Sequence, residues 1–486
     1  MRILLKNPQI PDEQFQSWSR KCVLIEDDKI AAIGCKEDTP CDRVIDCSGM
    51  IAVPGFINAH AHSYTGYLKG TIDNLPLDLY MLHAIAGGSC RSEREIYICS
   101  ALEALSMLKS GTTAVVDHFS QRPELSSEGL EASARAFTEA GMRARIATMF
   151  ADKGFFDTLP LLPGELPETL RPKGGAGQSV EDYLAVVEKS FEQHRNDPLV
   201  RIMLGTDGPQ RCTDKLLLGT AELEAKTHMG WQTHILEAKT QALVSRSFYG
   251  KDLIEHMDEL GVLNERCALV HSVWLSEKEQ EIVAERGATV VHCPGSNLHL
   301  GSGVAPVDLY CARGIRVALG SDGGNCGSTG MLEQIKLAAT LHNVSHADYE
   351  TWFSAADALR LDYEGGAGIF GDDIGRIRVG AQADLCLIDI DNICWQPVND
   401  LTRQLVYYEN GSHVDTVIVA GEIVLENGKS TRLDERAILA EAKEICAKLR
   451  RDCADAFALV EKQTPCMRGM YLREISRDVG YNRFIR

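Results

Sequence analysis

The chain has 486 residues, with 50 Lys+Arg against 69 Asp+Glu, a formal net charge of −19. That balance argues against nucleic-acid or anionic-membrane partners, which need a basic face, while 44% apolar and 24% charged residues give an ordinary globular composition. No window approaches the roughly 20 apolar residues of a membrane-spanning helix, and the opening run is broken at Lys6 and Asn7, too early for a secretion signal.

Residues 1–50 carry short strand-like runs at 22–25 and 30–33, broken at Asp27, Asp28 and Gly34. The same texture returns at 383–388, 414–419 and 423–425, with turn signals at Ala420-Gly421 and Asn427-Gly428. The two chain ends are therefore expected to build one β domain together. Between them, short β-rich runs at 55–57, 113–116, 143–146, 201–204, 231–234, 267–271, 288–291 and 317–320 alternate with helix-length amphipathic stretches such as 93–108 and 277–286. Eight βα units in sequence are the count of an α/β fold of the TIM-barrel type, (β/α)8, whose active sites lie at the C-terminal ends of the strands. Residues 435–449 read as a charged amphipathic helix, a terminal arm packed on the barrel or on a second subunit.

Sixteen scattered cysteines without a C-x-x-C pair suit buried thiols in a reducing compartment, so a cytoplasmic protein is expected. A metal would then be held by histidine and carboxylate. The strand ends supply both. The first ends in His60-Ala61-His62, where residues two apart in an extended segment face the same side. Strand five ends at His234, strand six at His271 and strand eight at Asp322. Neutral imidazole with carboxylate is a ligand set for zinc or ferrous iron, and this number of ligands leaves a position for water, the catalytic arrangement. Glu237, three residues past His234, is placed to take the water's proton and pass it to a nitrogen leaving group if burial raises its pKa. Asp322 is a second proton acceptor, and His271 either a further ligand or a hydrogen-bond donor to the attacking oxygen. Residues 201–205 contain no lysine or acid to bridge a second ion, which favours a single metal.

With those residues in place, the sequence resembles the amidohydrolase superfamily, in its triazine chlorohydrolase, guanine deaminase and adenosylhomocysteine deaminase branch. The matching text is Val53-Pro54-Gly55-Phe56-Ile57-Asn58-Ala59-His60-Ala61-His62, Gly111-Thr112-Thr113, His234-x-x-Glu237, His292-Cys293-Pro294-Gly295-Ser296-Asn297, Leu319-Gly320-Ser321-Asp322-Gly323 and Gly380-Ala381-Gln382-Ala383-Asp384-Leu385. The resemblance implies a barrel flanked by a β-sandwich, expected over 51–370 and over 1–50 with 371–430, and the sequence pattern adds a helical tail over 431–486. It implies His60, His62, His234 and Asp322 as ligands of one divalent ion, zinc or iron, with Glu237 as proton shuttle and His271 polarising water or substrate. The expected protein is a homo-oligomer, a dimer first, acting on a small molecule by displacing an amino group or chloride from a nitrogen heterocycle.

Departures from the branch concern substrate. Thr206-Asp207-Gly208-Pro209 stands where many adenosine-type relatives have Pro-His, and an anionic Asp207 suits a guanidinium, amidinium or exocyclic amine. The segment 75–89 lacks the tryptophan and glutamate that hold a sugar in those relatives, which makes a nucleoside a less expected substrate. His118 and Asn297 are further candidates for substrate contact, and the Pro/Gly-rich stretch 151–178 for a specificity loop; His292 reads as structural. The leading reading is a mononuclear aminohydrolase acting on a small heterocycle or guanidine-like compound. The alternatives are an amide, urea or cyclic-imide hydrolase, a ring-closing enzyme, a chlorohydrolase with the same site, or a barrel that has lost catalysis.

Overall fold

A computed structural model describes residues 1–88, 91–171 and 177–485. Eight parallel strands form the barrel: β1 (Phe56–His62), β2 (Thr112–Phe119), β3 (Arg143–Thr148), β4 (Val200–Thr206), β5 (Trp231–Ile235), β6 (Cys267–His271), β7 (Thr289–His292) and β8 (Arg316–Leu319). Each pairs with the next, and the two-residue strand Asp322–Gly323 closes the circle by pairing with Ala61 and His62. All seven residues of β1 and all eight of β2 are buried, as both faces of a barrel strand are covered. One alternate set of strand side chains, including Ile57, Ala59, Val116, Val270 and Val291, forms an inner cluster. The other set, including Val115, Ile146, Leu204 and Leu269, packs with the surrounding helices.

Both chain ends build the β-sandwich. A four-stranded sheet runs (Lys29–Ile33)-(Val23–Glu26)-(Arg2–Lys6)-(Arg43–Asp46), and a seven-stranded sheet places Leu385–Asp389 beside Met50–Pro54. Ile3, Leu5, Ile25, Ala52, Leu385 and Ile418 form one buried cluster between them.

Two helices, one after the first strand and one from the tail, brace the barrel mouth. α1 (Leu77–Gly87) follows β1; the tail supplies α2 (Glu435–Asp452) and α3 (Ala454–Ile475), two helices where the sequence pattern marks one. Leu79, Leu82 and Ala86 of α1 pack on Val460, Met467 and Met470 of α3, with Phe155 and Leu159 from the connection after β3 against the same cluster. Gln463 donates to the Leu170 carbonyl at 2.8 Å. The tail thus braces both segments above the mouth. Part of the proposed specificity stretch, residues 172–176, and Ser89 of the segment 75–89 lie outside the described residues. Among the described residues no helix is long and apolar enough to cross a membrane.

Candidate active site

Strand ends deliver the polar groups, and their atoms converge. His62 Nε2 lies 3.2 Å from His234 Nε2 and 3.3 Å from Asp322 Oδ1. His60 Nε2 lies 3.6 Å from the same oxygen. Ligand atoms about 2.1 Å from a tetrahedral ion sit about 3.4 Å from one another, so these spacings fit a zinc-sized ion.

Each ring is fixed in one tautomer. His60 Nδ1–H donates to Gln232 Oε1 at 2.8 Å, and the Gln232 amide is itself held by donating to the Ala59 carbonyl at 2.9 Å. His62 Nδ1–H donates to the His118 carbonyl at 2.7 Å and His234 Nδ1–H to the Asp207 carbonyl at 2.5 Å. A carbonyl only accepts, so the proton sits on Nδ1 and the Nε2 lone pair faces the centre. His60 Nε2 is buried with no hydrogen-bond partner in the protein. Burial, then the neighbouring imidazoles, push His62 down to about 4 and His234 well below its ordinary value. The His62 and His234 rings are therefore neutral, as metal binding requires. Asp322 lies well below the usual carboxylate range, although burial alone would raise it. Ser296 Oγ donates to Asp322 Oδ2, and the Gly323 N–H to Oδ1 at 2.7 Å.

Glu237 is 4% exposed and its Oε1 has no partner in the protein, while Oε2 lies 3.6 Å from His271 Nε2. Burial, followed by the charges of Asp322, Asp78 and Asp207, pushes this carboxyl well above its ordinary pKa. Such a group holds a proton more readily than a solvated carboxyl and is suited to pass it on. His271 Nδ1–H donates to Asn297 Oδ1 at 3.0 Å, which leaves the Nε2 lone pair facing Glu237 and, at 3.9 Å, Asp322 Oδ2. Of the two roles expected from sequence, a further ligand or a hydrogen-bond donor to the attacking oxygen, this tautomer offers the lone pair that the first requires. Burial pushes the ring down to about 4.

The backbone bends to aim these groups. Leu236, His271, Ser272 and Asp322 have φ of 44°, 67°, 48° and 63°, a region that is costly outside glycine. Gly320 is required by close approach: a Cβ there would meet His60 Cβ at 2.8 Å and its backbone nitrogen at 3.0 Å.

The centre opens into a cavity whose walls include Tyr64, Asp78, Tyr80, Phe155, Gln210 and Arg211. Asp207 also lines it, but its carboxylate is tied to Arg211 at 2.6 Å, so it is not the unpaired anion expected to receive a guanidinium. His118 lies within β2 rather than after it. Its ring is fully buried and stacks on His234 at 4.8 Å, beneath the rings and not on the cavity wall. Asn297 is likewise buried behind His271, away from the wall. His292 is fully buried, with neither ring nitrogen bonded in the protein. Gln232, Ser296 and Asp78 were missed from sequence; only Gln232, two residues before His234 on one strand, carried a signal in its spacing.

The sequence pattern described as the amidohydrolase family matches residues 51–424. The 5-methylthioadenosine/S-adenosylhomocysteine deaminase of Thermococcus sibiricus is 32% identical over 427 residues, 87% of this chain and 94% of that protein. The 5'-deoxyadenosine deaminase of Methanosarcina mazei is 30% identical over 453 residues, 92% and 98% of the two chains. Among solved structures, a zinc-bound adenosine deaminase from Xanthomonas campestris matches with a TM-score of 0.82 at 26% identity, over 92% and 98% of the chains. A zinc complex of atrazine chlorohydrolase from Arthrobacter aurescens matches with a TM-score of 0.82 at 24% identity, over 91% and 100%, a likeness of fold.

Proposed function

The chain belongs to the amidohydrolase family, and from that membership we propose that it is a metal-dependent hydrolytic deaminase, which exchanges an amino group on an electron-poor carbon of a small nitrogen heterocycle for water and releases ammonia. His60, His62, His234 and Asp322 would hold one divalent ion, zinc first and iron as the alternative. When bound, such an ion lowers the pKa of a water toward neutrality and so supplies a nucleophile near pH 7. The observation that carries the reading is the convergence of lone pairs: three Nδ1–H groups are committed to fixed oxygens, so three Nε2 atoms and an ionised carboxylate face one point.

The protein's own groups then move the protons. Glu237, whose proton affinity burial raises, takes a proton from the attacking water and delivers it to the heterocycle or the departing amine. Asp322 Oδ2 accepts the second proton, with Ser296 fixing that oxygen. His271, anchored by Asn297, stands 3.6 Å from the Glu237 carboxyl and bounds the space in which the water is held. The buried walls exclude competing solvent, and the brace from α3 keeps α1 in place over the cavity.

The curated relatives named above are deaminases of adenosine-like compounds, which supports an aminopurine or similar base over a free guanidine, as does the Asp207–Arg211 pair. Amide or cyclic-imide hydrolysis, ring closure and chloride displacement use the same residues. Ammonia release from a panel of aminated heterocycles tests the choice: release from at least one member is expected, and ring opening of an amide or loss of chloride without any ammonia would overturn it. The family's habit of dimerising and the cysteine content support a cytoplasmic homodimer as the working form, which light scattering of the purified protein checks.

A further inference from the structure

Asp78 stands on the cavity wall with half of its hydrogen-bonding capacity unspent. It is 5% exposed; Oδ1 accepts from Thr240 Oγ1 at 3.2 Å, while Oδ2 is buried with no partner in the protein. Asp78 and Thr240 line the same cavity as His234, Glu237 and Asp322. The neighbouring guanidinium of Arg211 is committed to Asp207. A buried carboxylate oxygen without a donor is costly, and where its side chain lines a ligand cavity a bound ligand is the group that can supply the donor. Its place on the wall says which part of the ligand. Thr240 follows Glu237 by three residues at the start of the helix Lys239–Tyr249, so the two carboxyls stand on one wall and Asp78 contributes to the charge around Glu237.

We infer that Asp78 determines specificity: Oδ2 accepts a hydrogen bond from an N–H on the heterocycle edge next to the ring nitrogen that Glu237 serves. The enzyme therefore selects heterocycles that carry a second N–H donor there, an amino or imino nitrogen, over those that present none. This rests on the deaminase reading. A charge-assisted bond of this kind discriminates strongly against an analogue lacking the donor, because the carboxylate is then left buried and unpaired.

The test uses the metal-loaded enzyme and matched pairs of compounds, with product identified by chromatography and ammonia quantified. 2,6-Diaminopurine and adenine, as bases and as ribosides, differ by one amino group; adenosine and its 2'- and 3'-deoxy forms differ by one hydroxyl. The wild type is expected to favour the diamino member by roughly 10- to 100-fold in kcat/KM, mostly through KM, and Asp78→Asn to bring that ratio within about 3-fold. Metal content is expected to equal that of the wild type. Thr240→Val, which releases Oδ1, is expected to narrow the ratio partway and serves if Asp78→Asn does not fold. A ratio unchanged in both variants, a wild-type preference that follows the hydroxyl pair, or loss of metal from Asp78→Asn would overturn the inference alone. Absence of ammonia from every compound would overturn the deaminase reading and the inference with it.

Discussion

His62 and His234 face one another with Nε2 atoms 3.2 Å apart and ring planes 18° from parallel. Both nitrogens present lone pairs, because both Nδ1 protons are committed to carbonyls. Two lone pairs at that distance repel, and a cation between them turns the repulsion into attraction.

Metal content follows directly. Purified protein is expected to carry about one equivalent of zinc or iron, and His62→Ala well under about a third of that. Chelation is expected to lower the melting temperature, and free zinc at about 100 times its Kd to restore about 2.7 kcal/mol. Elemental analysis with calorimetry decides; a full complement of metal in His62→Ala would remove that residue from the ligand set.

For Glu237→Gln, the amide keeps the shape but can neither take up nor give up a proton. Turnover is expected to fall by roughly 10² to 10⁴-fold with metal content unchanged. Near-normal kcat in that variant would exclude Glu237 from proton transfer.

Asn297 Oδ1 accepts from His271 Nδ1 and fixes that ring. Asn297→Leu is expected to cost roughly 10- to 100-fold in kcat, by analogy with the loss of other groups that orient a ligand or base, while KM and metal content stay near wild type. A change confined to KM would instead put Asn297 in contact with substrate.

His292 is buried without a partner, and burial, followed by the fields of His342 and His271, pushes it down to about 3. Above pH about 6.5 it is neutral folded and unfolded; below that, the unfolded chain takes a proton that the folded chain refuses, so stability falls on acidification toward pH about 3. His292→Leu removes this slope. Between pH about 6.5 and 4.5, denaturant melts are expected to show the wild type losing about 2 to 3 kcal/mol more than the variant; parallel pH profiles would show that the imidazole is solvated.

Met467 is fully buried between α3 and α1. Met467→Ala is expected to cost about 2 to 5 kcal/mol and, because α1 carries Asp78, to raise KM more than it lowers kcat. Unfolding curves paired with steady-state kinetics read both.

The barrel was legible because its strands are covered on both faces and read as unbroken apolar runs between helical stretches; His60, His62, His234 and Asp322 stood out at their ends. The orientation of His271 was not, since Asn297, which sets it, reaches it only through the fold. Asp78 sits in an apolar-looking segment and becomes notable only once Thr240 claims one oxygen and leaves the other. Pro465 and Gly469 break the helical pattern of α3, so that helix is held by its packing on α1 more than by local preference.

The barrel seam has a consequence in time. Asp322 pairs with the strand that carries His62, and Asn58 Nδ2 donates to Ser321 Oγ at 2.8 Å across the same joint, between residues 263 apart in the chain. At roughly 5 to 20 residues per second, a ribosome needs on the order of tens of seconds to make that interval. The nascent chain therefore exposes His60 and His62 long before their carboxylate partner exists, and the complete set of four donors appears only when the first and last barrel strands meet.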